Sequence, residues 1–306
     1  MKGLVVKSTG SLFQVKLENG TMVPCRIRGN LRLVNYEATS PVTVGDHVEV
    51  EYKTGDEVGM IAELYDRKNY IIRKSVKLSK QIQIIAANID RAFVIATPVF
   101  PKTSLGFIDR FLATAEAYNI SGGIIFNKSD LYKEDVWKLV LELKAMYESI
   151  GYKVMAVSSL EKISIEQLKA ELTGRVNLFS GHSGVGKSSL INSLIPGLNL
   201  KTSSISEQHL KGTHTTTFAE MHEIPGGGYL IDTPGIREFG TIDFDTYEVS
   251  HFFPEIFKTG RSCQFNNCLH TNEKNCAVKE AVREGSIALS RYESYLSILS
   301  NQDIFR

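Results

Sequence analysis

Asn127-Lys128-Ser129-Asp130 and Gly181-His182-Ser183-Gly184-Val185-Gly186-Lys187-Ser188 are the two stretches whose order decides the fold. The second has the G-x-x-x-x-G-K-S form of a loop that cradles nucleotide phosphates. The first has the N-K-x-D form that reads guanine. In the usual chain order the phosphate loop comes first. Here the guanine-reading stretch lies 54 residues upstream of it. Either one match is accidental, or the chain is a circularly permuted GTPase.

The context of the phosphate loop is the one its chemistry needs. Val176-Asn177-Leu178-Phe179 reads as a short buried strand, and Ser188 to Ile195 carries Leu and Ile at helical spacing. Glycine at 181, 184 and 186 lets the backbone curl so that N–H groups converge on phosphate oxygens, at a helix N-terminus. Ser180 leads into the loop, Lys187 is expected to reach the β- and γ-phosphates, and the Ser188 hydroxyl to bind magnesium.

The remaining GTPase elements follow in permuted order. Tyr229-Leu230-Ile231-Asp232-Thr233-Pro234-Gly235 is a strand ending in D-x-x-G, with Asp232 expected to hold magnesium through water and the Gly235 N–H to meet the γ-phosphate. Lys211 to Thr217 reads as a first switch segment, in which Thr215 or Thr216 completes the magnesium shell. Gly123-Ile124-Ile125-Phe126 is an apolar strand that delivers Asn127 to its C-terminal end, where open α/β sheets bind ligands. Asp130 accepts from the guanine ring and amino N–H groups, and Val154 to Val157 leads to a loop in which the N–H of Ser158 or Ser159 faces the guanine oxygen. Starting at 181 and wrapping back to 127 restores the usual order, which favours permutation over accident. Ile236 stands where a water-orienting glutamine is common and cannot hydrogen-bond water. His214 is the candidate to supply that role, or else it caps or packs the switch.

At 306 residues with 42% apolar content, the chain fits about three modules: 1–70, 71–245 and 246–306. Five strand-like runs in the first (Leu4–Val6, Leu12–Leu17, Met22–Ile27, Val42–Val50 and Gly59–Leu64) fit an OB-fold barrel, and Asn19-Gly20 predicts a type I′ hairpin turn. The net charge of +1 excludes a globally basic protein. However, no acid separates Asp66 from Asp90, while Arg67, Lys68, Arg73, Lys74, Lys77 and Lys80 are basic. With the basic loop Arg26–Arg32, that run is either an RNA contact or a solvated face. No signal-peptide-like start and no membrane-length apolar run are seen, so a cytoplasmic chain with no membrane partner is expected, and it is expected to be a monomer.

Three of the four cysteines cluster with a histidine: Cys263, Cys268, His270 and Cys276. In a cytosolic chain such density points to metal, and three thiolates with one imidazole make a closed tetrahedral zinc site, one zinc per chain. Cys25 reads as a small buried residue of the barrel. Leu289, Tyr292, Leu296 and Leu299 lie on one face of a helical tail expected to pack on the zinc module.

The permuted order, the N-terminal barrel, the string Gly184-Val185-Gly186-Lys187-Ser188-Ser189-Leu190-Ile191-Asn192, the Cys/His cluster and the tail Arg291-Tyr292-Glu293-Ser294-Tyr295-Leu296 together resemble the ribosome-small-subunit-dependent GTPase family (RsgA, also called YjeQ). The resemblance runs through essentially the whole chain. It implies a multidomain protein: an OB-fold barrel, a central α/β permuted P-loop GTPase and a mainly helical zinc domain. It further implies GTP hydrolysis to GDP and phosphate stimulated by the small ribosomal subunit, a role late in that subunit's maturation, contact with its rRNA, zinc at the four residues named, and magnesium with GTP. Two other classes stay open: a binding module in which GTP is only a switch, and a GTPase acting on another RNA.

The permutation is testable at the base. Asp130→Asn presents a donor where the carboxylate only accepts, matching the carbonyl of xanthine. The variant is expected to shift preference from GTP to xanthosine triphosphate by at least about tenfold, measured by competition with a fluorescent nucleotide. An unchanged preference reduces Asn127–Asp130 to a turn.

Overall fold

The computed structural model describes residues 1–29, 41–53, 55–74, 82–200, 220–232 and 245–300. Strands β1 (Lys2–Ser8), β2 (Phe13–Leu17), β3 (Met22–Ile27), β4 (His47–Glu51) and β5 (Gly59–Leu64) alternate buried and exposed residues, as a one-sided strand requires. They pair in the order β1-β2-β3-β5-β4, and β4 returns to β1, which closes the barrel. Val5, Phe13, Val15, Val23, Val48 and Ile61 fill it together with Cys25, whose buried thiol is pushed up to about 11 by desolvation.

Two local expectations are corrected. The β2–β3 hairpin forms, but among its turn residues only Gly20 has positive φ, and Gly20 N–H bonds Leu17 O while Leu17 N–H bonds Thr21 O. That is a three-residue loop with a left-handed glycine rather than a type I′ turn; the Asn19 side chain accepts from Thr21 N–H instead of entering the left-handed region. The run 42–50 is a strand only from His47. Before it, Asp46 accepts from Thr43 N–H at 2.7 Å and pairs with Arg67, folding 43–46 into a turn. That turn seats the barrel on the hairpin of β6 (Tyr70–Lys74) and β7 (Ile82–Ala87), with Thr43 Oγ1 donating to Ile85 O at 2.9 Å and Asn88 Nδ2 to Gly45 O at 2.9 Å. Of the basic run, Arg73 and Lys74 fall on β6, while Lys77 and Lys80 lie outside the described residues.

The central sheet runs β10-β9-β8-β11-β13-β12. Strands β8 (Arg91–Ala96), β9 (Ser121–Asn127), β10 (Lys153–Val157), β11 (Val176–Ser180) and β13 (Tyr229–Asp232) are parallel, and β12 (Glu220–Glu223) is antiparallel at one edge. Alternate residues of β8 enter different cores. Ala92, Val94 and Ala96 pack with helices α1 (Leu105–Ala117) and α2 (Glu134–Ile150). Phe93 and Ile95 pack with α3 (Lys162–Leu172) and α4 (Lys187–Leu194). A strand covered on both faces reads as an unbroken apolar run, and β8 does. The barrel joins the sheet through β1 and β12, with Lys7 paired to Glu220 at 3.0 Å and Lys16 to Glu223 at 2.5 Å.

The C-terminal region is helical: α5 (Pro254–Gly260), α6 (Ala277–Arg283) and α7 (Leu289–Leu299). Tyr292, Leu296 and Leu299 pack into its core as expected, whereas Leu289, at the start of α7, is exposed. Arg291 of α7 is wholly buried and pairs with Asp109 of α1 and Glu255 of α5, lying 4.5 Å from the Phe253 ring centroid. Among the described residues no helix is long and apolar enough to cross a membrane.

The seat of the barrel makes a prediction. Gly20 and Gly45 have nearly equal positive φ, +86° and +90°, but a Cβ at Gly20 meets open space while one at Gly45 would lie 2.1 Å from Ala87 O. Gly20→Ala is expected to cost only the left-handed penalty of about 1–2 kcal/mol. Gly45→Ala should lower the thermal midpoint clearly further, because backbone must move. Equal midpoints would mean that the barrel does not seat there.

Candidate functional site

The C-terminal ends of β8, β9, β10 and β11 lie side by side, and their loops bring the two sequence motifs together. Asn127, the last residue of β9, is 1% exposed, and its Nδ2 donates to Val185 O in the phosphate loop at 2.8 Å. Gly186, at φ +87°, leaves room for it: a Cβ there would sit 2.5 Å from Asn127 Nδ2. Lys128 takes a left-handed conformation, φ 66°, and its Nζ donates to Gly184 O at 2.7 Å and Phe100 O at 3.0 Å. Ser129 is buried in the turn that follows, which Tyr132 closes by donating to Asn127 O at 2.6 Å.

Asp130 is exposed, and its Oδ1 accepts from Ser158 Oγ at 2.6 Å. An ionised carboxylate is an acceptor-only group, the complement of adjacent N–H donors. Of the two serines expected to face a guanine oxygen, Ser158 has its N–H bonded to Ser164 Oγ at 3.1 Å. Ser159 O accepts from Ser193 Oγ at 3.0 Å, so the loop after β10 is tied to the helix that follows the phosphate loop.

The phosphate loop itself leaves β11 at Ser180, and α4 starts at Lys187, followed by Ser188. A Cβ at Gly181 would meet Ile95 O at 2.5 Å, so the loop begins pressed against β8. His182 stacks on Phe107 of α1, ring centroids 3.8 Å apart, and burial lowers its pKa, which keeps the ring neutral. Ser183 and Val185 complete the loop, with Val185 buried. Asp232 ends β13 opposite Glu220 of β12. His214, Thr215, Thr216 and Gly235 lie outside the described residues. Phe107, Tyr132 and Ser164 were not singled out from the sequence. Each acts through a loop contact that no short motif marks, although the run 97–104, which contains Pro98 and Pro101, signals a fixed loop beside the site.

A candidate metal centre lies in the C-terminal region. The ligand atoms of Cys263, Cys268, His270 and Cys276 are all within 4.8 Å of one another. His270 Nδ1 is 3.4 Å from Cys276 Sγ and 3.6 Å from Cys263 Sγ, and those two sulfurs are 3.9 Å apart. Burial, with the neighbouring thiols Cys276 and Cys263, pushes Cys268 up to about 12, a cost that a cation at the centre reverses. The ligand loop is held from outside: Tyr292 and Tyr295 donate to His270 O at 2.6 Å and Leu269 O at 2.7 Å, and Glu273 accepts from Leu269 and Thr271 N–H. Such bracing fixes ligand orientation, and the set can hold a metal ion.

Comparison with known proteins agrees with this geometry. A family model described as RsgA GTPase matches residues 64–242, and one described as RsgA N-terminal domain matches 2–61. The Bacteroides fragilis (strain YCH46) protein named small ribosomal subunit biogenesis GTPase RsgA is 52% identical over 303 residues, covering 99% of this chain and 97% of that protein. A Flavobacterium johnsoniae protein of the same name is 50% identical over 305 residues, covering 99% and 94%. Among solved structures, YjeQ from Thermotoga maritima superposes with a TM-score of 0.80 at 35% identity, covering 100% of this chain and 99% of that one. YloQ, a circularly permuted GTPase, superposes at 0.79 with 29% identity, covering 98% and 94%.

The Ser158–Asp130 bond is a charge-assisted contact that holds the carboxylate in place. Ser158→Ala is expected to weaken guanine-nucleotide binding by about tenfold, and Ser159→Ala, which keeps the backbone, by less than about twofold. Titration with a fluorescent GDP analogue measures both. Equal effects would remove Ser158 from the orientation of Asp130.

Proposed function

The chain belongs to the RsgA GTPase family, a family of GTP hydrolases, and from that premise we propose that it binds the small ribosomal subunit and assists its late maturation, hydrolysing GTP to GDP and phosphate when the subunit stimulates it. The observation that carries this reading is the junction of Asn127–Asp130 with the phosphate loop, which pairs a guanine-reading carboxylate with a phosphate cradle. The names of the relatives support the ribosomal partner.

In this reading Asp130 accepts the guanine N1–H and 2-amino group, and the Ser159 N–H donates to the guanine oxygen. Gly181 to Gly186 offer backbone N–H groups to the phosphates, Lys187 neutralises the β- and γ-phosphates, and Ser188, Thr215 or Thr216 and, through water, Asp232 are the residues that would hold magnesium. Magnesium, when bound, balances charge on the phosphate oxygens. The Gly235 N–H meets the γ-phosphate. Because Ile236 cannot orient water, His214 is assigned that role, and the subunit completes the site. The metal of the C-terminal cluster is read as one structural zinc: a tetrahedral zinc with three thiolates and one imidazole has S···S edges of about 3.8 Å and S···N edges of about 3.6 Å. Residues 1–70, 71–245 and 246–306 are taken as the three modules, with the barrel and the basic run turned to rRNA, apart from Arg67, whose guanidinium is buried against Asp46. The protein is read as a monomer of the cytoplasm with no membrane partner.

Turnover of GTP by the purified protein, measured with and without small subunits and with large subunits as control, tests the reading. Slow intrinsic hydrolysis that rises at least about tenfold with small subunits alone is expected. A rate indifferent to the subunit, or raised equally by both, would contradict it. The same preparation is expected to contain about one zinc per chain, and Cys268→Ser to lose it without abolishing GTP binding. A zinc-free, fully folded wild type would contradict the metal assignment.

A further inference from the structure

Helix α1 touches the phosphate loop with one side and the C-terminal region with another. Phe107, in its first turn, carries the His182 stack. Two residues on, Asp109 points elsewhere, since consecutive odd positions of a helix are about 200° apart. Asp109 is wholly buried and accepts from Arg291 Nη1 at 2.9 Å, Ser294 Oγ at 2.6 Å and Tyr147 OH at 2.7 Å. Arg291, also wholly buried, continues to Glu255 through Nε at 2.7 Å. The same helix α7 supplies Tyr292 and Tyr295, which brace the metal loop. Close-packed contacts therefore run without a break from the metal loop through α7, Arg291, Asp109 and α1 to Phe107 and His182.

A buried ion pair tolerates little displacement, because moving one partner leaves the other charge desolvated and unpaired. One helical turn moves as a unit, so whatever fixes Asp109 also fixes Phe107. We propose that Arg291 is a positioning residue for the nucleotide phosphates: by holding Asp109 it sets α1, and through the Phe107–His182 stack it sets the phosphate loop. The proposal rests on the GTP-binding reading of Gly181–Ser188. It gives the C-terminal region a route to the nucleotide that differs from the chain continuing past Asp232, because it acts at the phosphate loop and does not need a γ-phosphate.

The test is a double-mutant cycle on the full chain, with affinities for GDP and for a non-hydrolysable GTP analogue measured by fluorescent-nucleotide competition. Arg291→Lys keeps a charge on Asp109 but loses the forked reach to Glu255. It is expected to weaken both nucleotides about fivefold. In a Phe107→Leu background, where the stack is already gone, the same change should cost less than about twofold, and Phe107→Tyr should restore the full effect. A merely structural Arg291 would give additive losses in both backgrounds, which would overturn the proposal. So would an effect confined to the GTP analogue, which would place the coupling in the γ-phosphate-sensing segment. If Arg291→Lys does not fold, Ser294→Ala, which removes one donor to Asp109, must show the same non-additivity on a smaller scale; additive losses there overturn the proposal equally. Failure of the wild type to bind GDP at all would overturn the nucleotide reading itself and this proposal with it.

Discussion

The Asn127 amide reaching the Val185 carbonyl is the contact on which the rest of the nucleotide site depends. It joins two segments that the permuted chain keeps far apart, and it does so in a space that admits no Cβ on Gly186. A buried amide with its donor unmet costs roughly 1–3 kcal/mol, so the phosphate loop and the end of β9 hold each other in place. Lys128 repeats the clasp from the exposed side by reaching Gly184 O and Phe100 O. With both made, the Ser158–Asp130 pair lies at a fixed distance from the glycines of the phosphate loop, which is what a ligand with a base at one end and phosphates at the other requires.

Permutation changes which covalent connections surround that site. Helix α1 follows β8 directly, beside the phosphate loop, and is free to carry Asp109 into the C-terminal core. The edge strand β12 lies between residues 201–219 and β13, and the barrel is stitched to it by Lys7 with Glu220 and Lys16 with Glu223. The central sheet thus has the barrel on its β12 edge and the C-terminal helices against α1. Surface ion pairs such as these contribute little individually, about 0–1 kcal/mol. The Arg291–Asp109–Glu255 set is different in kind, because Arg291 and Asp109 are wholly buried and have no water to fall back on.

Much of this was legible in the residues, and what was missed has physical causes. The phosphate loop, Asn127–Asp130 and the metal cluster are local motifs in which a few side chains carry the chemistry, so spacing alone locates them. The barrel strands show through alternation, since one face of each is wet. Strand β8 was not singled out because, unlike the equally apolar β9 and β11, it leads into no recognisable motif. The turn at Thr43–Asp46 looked like strand because Val44 and the preceding Val42 favour strands; the Asp46–Arg67 pair that bends it is a contact between distant residues. Nothing in the local sequence marks Arg291 as buried. Only its partners, Asp109 at 182 positions away and Glu255 at 36, show that it belongs to the core.

Hydrogen–deuterium exchange on the full chain, with and without saturating GDP, addresses the central claim most directly: that segments around 127–131, 158–160 and 181–188 form one site. The account predicts that all three gain protection together on adding GDP, with the amides at the start of α1 following. Protection limited to 181–188, with 127–131 and 158–160 unchanged, would contradict it.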